Sequence, residues 1–491
     1  MTESPFAEFL AWWLAFLLPA FVVVGPLRRD QGAAHAYLLT VILHIVVAAL
    51  YYYNRDNLNE AFVRGDTNAF HNYALNRQYV TEGSFGIGST LYKEYLAHVY
   101  SFFGASFFLG AILSVYAYAA SAIVLVRFME VLNLREGKGL VVLLFGGLPT
   151  AVLYGTVPMR EPYQVLFFML ACYSMLQFRL SSQPLHLIAA IVSAVIMGLL
   201  HKGLIVYAPF LIIVMLLVGV EHRGSRAGRW KRAYLPRLAG IALAIGFFVG
   251  ISGYQDKIAD ISGTEVLLTA TTGEGLVEFT SENRDEEALN KGRTAYGVRL
   301  DTSSPVRVVQ SSVMILFYYM FTPFPWQIGN FRDLYAFGEA FLRIACLIAV
   351  FRMWRRGGPA HPQIVVLLMV VYFSMAFLWS AGTFTWGTAT RHHMIHQWIL
   401  LLLGVPALLD MRASFFGRGH PAAAGNPAGV SGSGEARPQQ RSAQRRGLGA
   451  SPPPLRRLGG EGRQLGDLQM PRAAPRLLAA GLGRPRRLTE P

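Results

Sequence analysis

Over its first 410 residues the chain alternates between apolar runs of membrane-spanning length and short polar or basic links. The runs are Phe6–Gly25, His35–Tyr53, Ala105–Phe128, Gly139–Val157, Tyr163–Leu180, Leu185–Leu200, Leu204–Val220, Leu238–Tyr254, Phe341–Val350, Ile364–Ser380 and Ile395–Leu409. A bilayer core about 30 Å thick takes about 20 residues of helix, so the pattern predicts an all-α polytopic membrane protein of about eleven spans. A cleaved leader is the other reading of Phe6–Gly25, but its basic residues, Arg28 and Arg29, follow the apolar run instead of preceding it.

Cytoplasmic links carry the excess of Lys and Arg. Arg28 and Arg29, then Arg127, Arg135 and Lys138, then the cluster from His222 to Arg237, all fall on one side of the alternation. That side, with the tail, is the expected cytoplasmic face. The first long polar stretch, residues 54–104, and a second, residues 255–335, then fall on the extracytoplasmic face. Within the first, Asp66-Thr67 reads as a helix start, with Phe70, Tyr73, Ala74 and Arg77 at helical spacing. This helix is too polar to cross and too aromatic to float free, so it is expected along the membrane surface. Leu91 to Tyr100 forms a second amphipathic piece. The acidic run from Glu282 to Glu287 reads as a solvated surface helix. Val313–Phe321 is short for a span and is broken by Pro323-Phe324-Pro325-Trp326; as a full crossing it would put Arg352, Arg355 and Arg356 outside, so it is expected to be re-entrant.

Composition supports the membrane class: 53% of residues are hydrophobic and 15% charged, with mean hydropathy +0.37. A soluble chain carries about a quarter charged residues. Cys172 and Cys346 both sit in apolar runs, which argues against a disulfide framework or a cysteine metal site. Residues 411–491 hold fourteen arginines, no lysine and four acidic residues, so +10 of the net +15 belongs to this Gly/Ala/Pro/Arg-rich tail. It lacks periodicity and is expected to be disordered. Without interleaved aromatics it offers no nucleic-acid module.

The frame set by basic residues gathers Asp56, Asp66, His71, Arg160, Glu161, His201, Lys202, Arg391, His392 and His393 on one outer face. Ionisable groups at membrane depth are costly and tend to mark a site. Each also has a plainer role. Asp66 can cap its helix, and Asp56 can pair with Arg55. Arg160-Glu161 can be an interfacial ion pair, with Glu161 complementing the dipole of the helix it opens. His201-Lys202 can be a polar turn. His392 and His396 stand at a metal-binding spacing without a third ligand, so a cationic patch that grips phosphate is the preferred reading.

Two segments resemble the integral-membrane glycosyltransferases of the GT-C class, which includes protein O-mannosyltransferases and aminoarabinose transferases. The first is Gly65-Asp66 with Phe70, Tyr73 and Ala74, then Tyr92, Tyr95, Tyr100 and Phe103-Gly104-Ala105-Ser106. The second is Gly387-Thr388 through Arg391. Arg160-Glu161-Pro162 is similar to an Arg-Glu pair at a span start in bacterial relatives acting on surface polysaccharides. The resemblance implies inversion at the anomeric carbon, a polyprenyl-phosphate sugar as donor, a glycan, lipid or protein acceptor, and no cofactor or metal. It implies Asp66, or else Asp56, as general base, and Arg391, His392, Lys202, His201 and Arg160 with Glu161 around the donor phosphate. His71 and Trp326 fall on the acceptor side, with Pro323–Trp326 as wall or lid and the polyprenyl chain entering from membrane lipid.

Two other classes fit the pattern. An O-antigen or exopolysaccharide polymerase or ligase also has about a dozen spans, and it places its large outer loop late, as residues 255–310 are placed here. A lipid-linked glycan flippase or transporter would show an inverted repeat and Gly/Pro-interrupted spans in matching halves; no clear repeat is visible.

Overall fold

Small residues turn inward and large apolar ones outward at the start of the chain. In α1 (Pro5–Leu17), Ala7, Ala11 and Ala15 recur every fourth residue and are buried against Phe108, Leu109, Ala111 and Ile112, while Phe6, Phe9, Trp13 and Phe16 are exposed. A soluble helix buries the opposite face. Lipid replaces water here, and close packing of small residues drives association. The structure is a computed structural model that describes residues 3–23, 25–55, 66–77, 88–134, 136–217, 294–355 and 362–416. All of these lie in one compact unit, Met1–Ala423.

Among the described residues every regular element is a helix, and strand pairing is confined to a single bridge, Ala295 with Thr385. After α1 come α2 (Gln31–Tyr53), α3 (Asp66–Arg77), α4 (Ser89–Phe103), α5 (Phe107–Val131), α6 (Lys138–Gly147), α7 (Pro149–Gly155), α8 (Glu161–Ser181), α9 (Pro184–Leu199) and α10 (Lys202–Leu217). Beyond residue 293 follow α11 (Pro305–Phe321), α12 (Phe331–Arg355), α13 (Pro362–Ala381) and α14 (Trp386–Phe416). Six are long and apolar enough to cross a membrane: α1 with its 3-10 extension to Val23, α2, α5, α12, α13 and α14 to Arg412. The bent pair α6–α7 makes a seventh if taken as one span. The chain is thus a multi-pass helical membrane protein. Leu238–Tyr254, the Glu282–Glu287 run and the tail beyond Phe416 lie outside the described residues, and α14 continues past the expected boundary at residue 410.

The expected continuous span Gly139–Val157 is broken. Helices α6 and α7 meet at 58° around Leu148-Pro149. Proline supplies no N–H, so the break strands backbone groups that lipid cannot satisfy. Two side chains from other helices take them up. His44 Nε2 donates to Gly146 O at 2.9 Å, and Glu339 accepts from Thr150 N at 2.9 Å and Thr150 Oγ1 at 2.8 Å. Gly146, the last but one residue of α6, lets α2 lie close: a Cβ there would stand 2.5 Å from Thr40 Cβ.

The short apolar run Val313–Phe321 proves to be the second half of α11, which starts at Pro305 with Ser304 as its cap. Val306, Val309, Val313 and Phe317 form an exposed apolar stripe. The C-terminus of α11 ends against α12 and α14, where Tyr319 O and Met320 O accept from His393 Nε2 (2.9 Å) and Arg343 Nε (3.1 Å). These bonds serve carbonyls that a helix end leaves open.

Helices α3 and α4 pack on each other through Phe70, Ala74, Tyr92, Leu96, Ala97 and Tyr100. Glu94 ties them, accepting from Tyr73 OH at 2.6 Å and pairing with Arg77 Nε at 2.8 Å. This layer holds the start of α3 over the bundle.

Candidate functional site

Three segments far apart in sequence meet at one guanidinium. Arg391, in the second turn of α14, pairs through Nη1 with Asp66 at the start of α3. Its Nε and Nη2 both donate to Glu161 Oε1, at 2.7 and 2.5 Å, where α8 begins. Arg160 Nε stands 3.5 Å from the same oxygen. Two arginines and two carboxylates therefore balance in one cluster.

The two carboxylates differ in setting. The Glu161 side chain is 2% exposed and held by two donors of Arg391, whereas the Asp66 side chain is 50% exposed and held by one. Glu161 Oε2 is buried with no hydrogen-bond partner. Arg160 is largely buried, which pushes its pKa down, while the neighbouring Glu161 charge pulls it back up. Among the described residues no three His, Cys, Asp or Glu gather as a metal site.

The position of Arg391 follows from the start of its helix. Trp386 Nε1 donates to Asp333 Oδ1 at 2.9 Å, and Asp333 Oδ2 accepts from the Gly329 and Asn330 amides, so the starts of α12 and α14 are pinned together. Arg391 lies five residues on, and a 3.6-residue turn then directs it toward α3 and α8.

The expected patch Arg391-His392-His393 is divided by the helix, because successive residues point about 100° apart. His392 turns to Thr383, with Nδ1 at 2.8 Å from Oγ1, and stacks on Trp379 with centroids 3.9 Å apart. His201 also packs against Trp379, 4.6 Å from it and 6.5 Å from His392. His393 points inward to Tyr319, and His396 is buried beside Tyr319 and Tyr372. The pair His392/His396 therefore does not converge as ligands; the two rings serve different surroundings.

Other expected residues separate from the cluster or lie outside the described set. Asp56 and the Lys202 side chain lie outside the described residues, although Lys202 opens α10. His71 is buried between α3 and α4, with Nδ1 2.8 Å from Tyr100 OH. Burial, and then the Arg55 charge, push its pKa down to about 3, and Nε2 stands 3.6 Å from Glu3 Oε1, so the ring braces α3 against its neighbours. Trp326 is 79% exposed and stacks on Phe324 at 5.0 Å.

Charge and order along the chain do not point to Trp379, Thr383 or Asp333, nor to Tyr163 as the partner of Tyr92 and Tyr95, which the resemblance already includes. Tyr163, two residues after Glu161, meets Tyr92 and Tyr95 with centroids 5.7 and 5.6 Å away. Tyr95 remains partly exposed. The recurrence of Tyr in α4 was a visible signal; Trp379 and Asp333 had none, being single residues in or beside apolar runs. Chemically, the cluster offers an accessible carboxylate, a guanidinium fixed by a buried carboxylate, and an aromatic edge. No family model, curated protein or solved structure matches this chain.

Proposed function

We propose that the chain is an inverting membrane glycosyltransferase. It would move a sugar from a polyprenyl-phosphate donor to an extracytoplasmic acceptor during surface glycan assembly, at the outer face of a bacterial inner membrane with the tail in the cytoplasm. The observation that carries this reading is the meeting of Asp66, Glu161 and Arg391, three residues singled out separately by charge and order along the chain. Asp66, half exposed, accepts the proton of the acceptor hydroxyl. The acceptor oxygen bonds to the anomeric carbon, the bond from that carbon to the phosphate oxygen breaks, and Arg391 with Arg160 stabilises the charge that collects on the departing phosphate. Glu161, buried on Arg391, acts as a positioning residue and does not itself hold phosphate, since two anions repel. Tyr95 and Tyr163 provide an apolar edge for a sugar face.

Membranes carrying wild type or Asp66→Asn are supplied with radiolabelled polyprenyl-phosphate sugars, and transfer is normalised to expression. The reading expects loss of transfer in Asp66→Asn of about a hundredfold or more, the usual scale of general-base catalysis. Full transfer by the variant sinks the assignment of Asp66.

A carrier is the second reading, and the break between α6 and α7 favours it, because transporters build sites at interrupted helices. It expects donor lipid to cross the bilayer of reconstituted vesicles with no sugar bond broken.

A further inference from the structure

Arg391 is the natural seat for a donor phosphate, yet a carboxylate occupies it. Its planar guanidinium presents Nε and Nη2 to Glu161 and Nη1 to Asp66. Both are oxyanions of the geometry that a guanidinium fork also matches to phosphate. Only one is replaceable: Glu161 is buried and doubly held, whereas Asp66 is half exposed and singly held. Charge points the same way. Arg160 and Arg391 balance Asp66 and Glu161, so an added phosphodiester monoanion gives the cluster an excess of negative charge unless one carboxylate leaves.

We propose that Asp66 and the phosphate of the lipid-linked donor compete for Arg391, so that donor binding displaces Asp66 and frees it to act as the base. The inference rests on the transferase reading and adds an order of events to it. While paired with Arg391, Asp66 Oδ2 is taken up by Nη1, so the carboxylate is turned to the guanidinium and away from an acceptor hydroxyl. When a phosphodiester takes the Nη1 edge, the carboxylate is released beside the anomeric carbon at the moment an acceptor can be used. Without donor, the base stays sequestered. After transfer the half-exposed Asp66 passes the acceptor's proton to the departing phosphate monoester or to solvent, and the carboxylate so restored returns to Arg391 and helps expel the phosphate. The balance is simple: one ion pair is exchanged for another, and no bond is made or broken in the displacement step.

The test uses the purified full-length protein in detergent, with farnesyl phosphate as the probe and inorganic phosphate as a second arm. Binding is measured for wild type, Asp66→Asn and Asp66→Ser. Removing the competitor should tighten farnesyl phosphate binding by about threefold or more, a scale set by the worth of a half-exposed ion pair. A spin label at Asn72→Cys, on the exposed side of α3, reads the displacement directly. Cys172 and Cys346 are both buried, so the label is selective. Its signal should change when farnesyl phosphate saturates otherwise wild-type protein and should not change in the Asp66→Asn background. Equal or weaker binding by both Asp66 variants overturns the proposal, as does a static label in the otherwise wild-type protein. A shift of equal size with inorganic phosphate assigns the seat to free phosphate and overturns the lipid-donor form of the proposal. Sugar transfer is followed in parallel. Tighter binding by Asp66→Asn with no transfer by wild type supports the competition and removes the transferase. Transfer by wild type with unchanged binding in the variants removes the competition alone.

Discussion

Replacing Glu161 with alanine should destabilise the protein far more than replacing Asp66, although both carboxylates hold the same arginine. Glu161 Oε1 accepts from Arg391 Nε at 2.7 Å and Nη2 at 2.5 Å, with Arg160 Nε at 3.5 Å. Its side chain is 2% exposed, and that of Arg391 is 15%. Glu161→Ala leaves two largely buried guanidinium groups facing one carboxylate, and breaking a buried pair from one side costs about 3–5 kcal/mol. The Asp66 side chain is half exposed, so water replaces much of what it loses, and Asp66→Ala should cost no more than about 1 kcal/mol. The assay is unfolding in mixed micelles titrated with SDS, followed by the fluorescence of the chain's eight tryptophans. Arg391→Ala and the double variant Glu161→Ala/Arg391→Ala close a mutant cycle, with an expected coupling of about 2 kcal/mol or more. Equal losses for Glu161→Ala and Asp66→Ala, or a coupling near zero, refute the division of the cluster into a fixed and a replaceable partner.

Four further outcomes are expected. His71, with its pKa lowered to about 3 against 6.5 when unfolded, binds fewer protons folded than unfolded between those values. Its contribution is therefore complete above pH 6.5 and lost as pH falls toward 3, by at most about 5 kcal/mol, and His71→Asn should flatten acid unfolding curves in that window. Glu339→Ala should cost about 2–3 kcal/mol in the same micelle assay, because it leaves the buried Thr150 amide open at the break between α6 and α7; Glu339→Gln should cost less. Gly404→Val should destabilise by about 1–3 kcal/mol, since a Cβ there would stand 2.4 Å from Cys346 Cβ, and Cys346→Gly should restore part of the loss. Asn72→Cys should react with an impermeant maleimide from outside intact cells and Arg352→Cys only in inverted vesicles; the reverse pattern refutes the orientation.

The membrane class and the roster of the ion cluster were legible in the chain itself. Apolar runs of spanning length announce helices whatever their neighbours, because lipid forces backbone groups to be satisfied within the segment. Charge asymmetry between the links then placed Asp66, Glu161 and Arg391 on one face without any tertiary information. Pairing within that face was another matter. Arg391, His392 and His393 are consecutive in sequence, but one bonds carboxylates, the next a threonine and the third a helix end, because rotation about α14 sends each to a different neighbour. The break at Pro149 was visible as Gly146-Gly147-Leu148-Pro149, yet an averaged apolar run conceals a bend that His44 and Glu339 make tolerable. Periodicity and charge act over short stretches, so the sequence alone determined the helical membrane class and which groups must find partners. Those partners come from helices hundreds of residues away, and packing in three dimensions decided which carboxylate is buried on Arg391 and which stays replaceable.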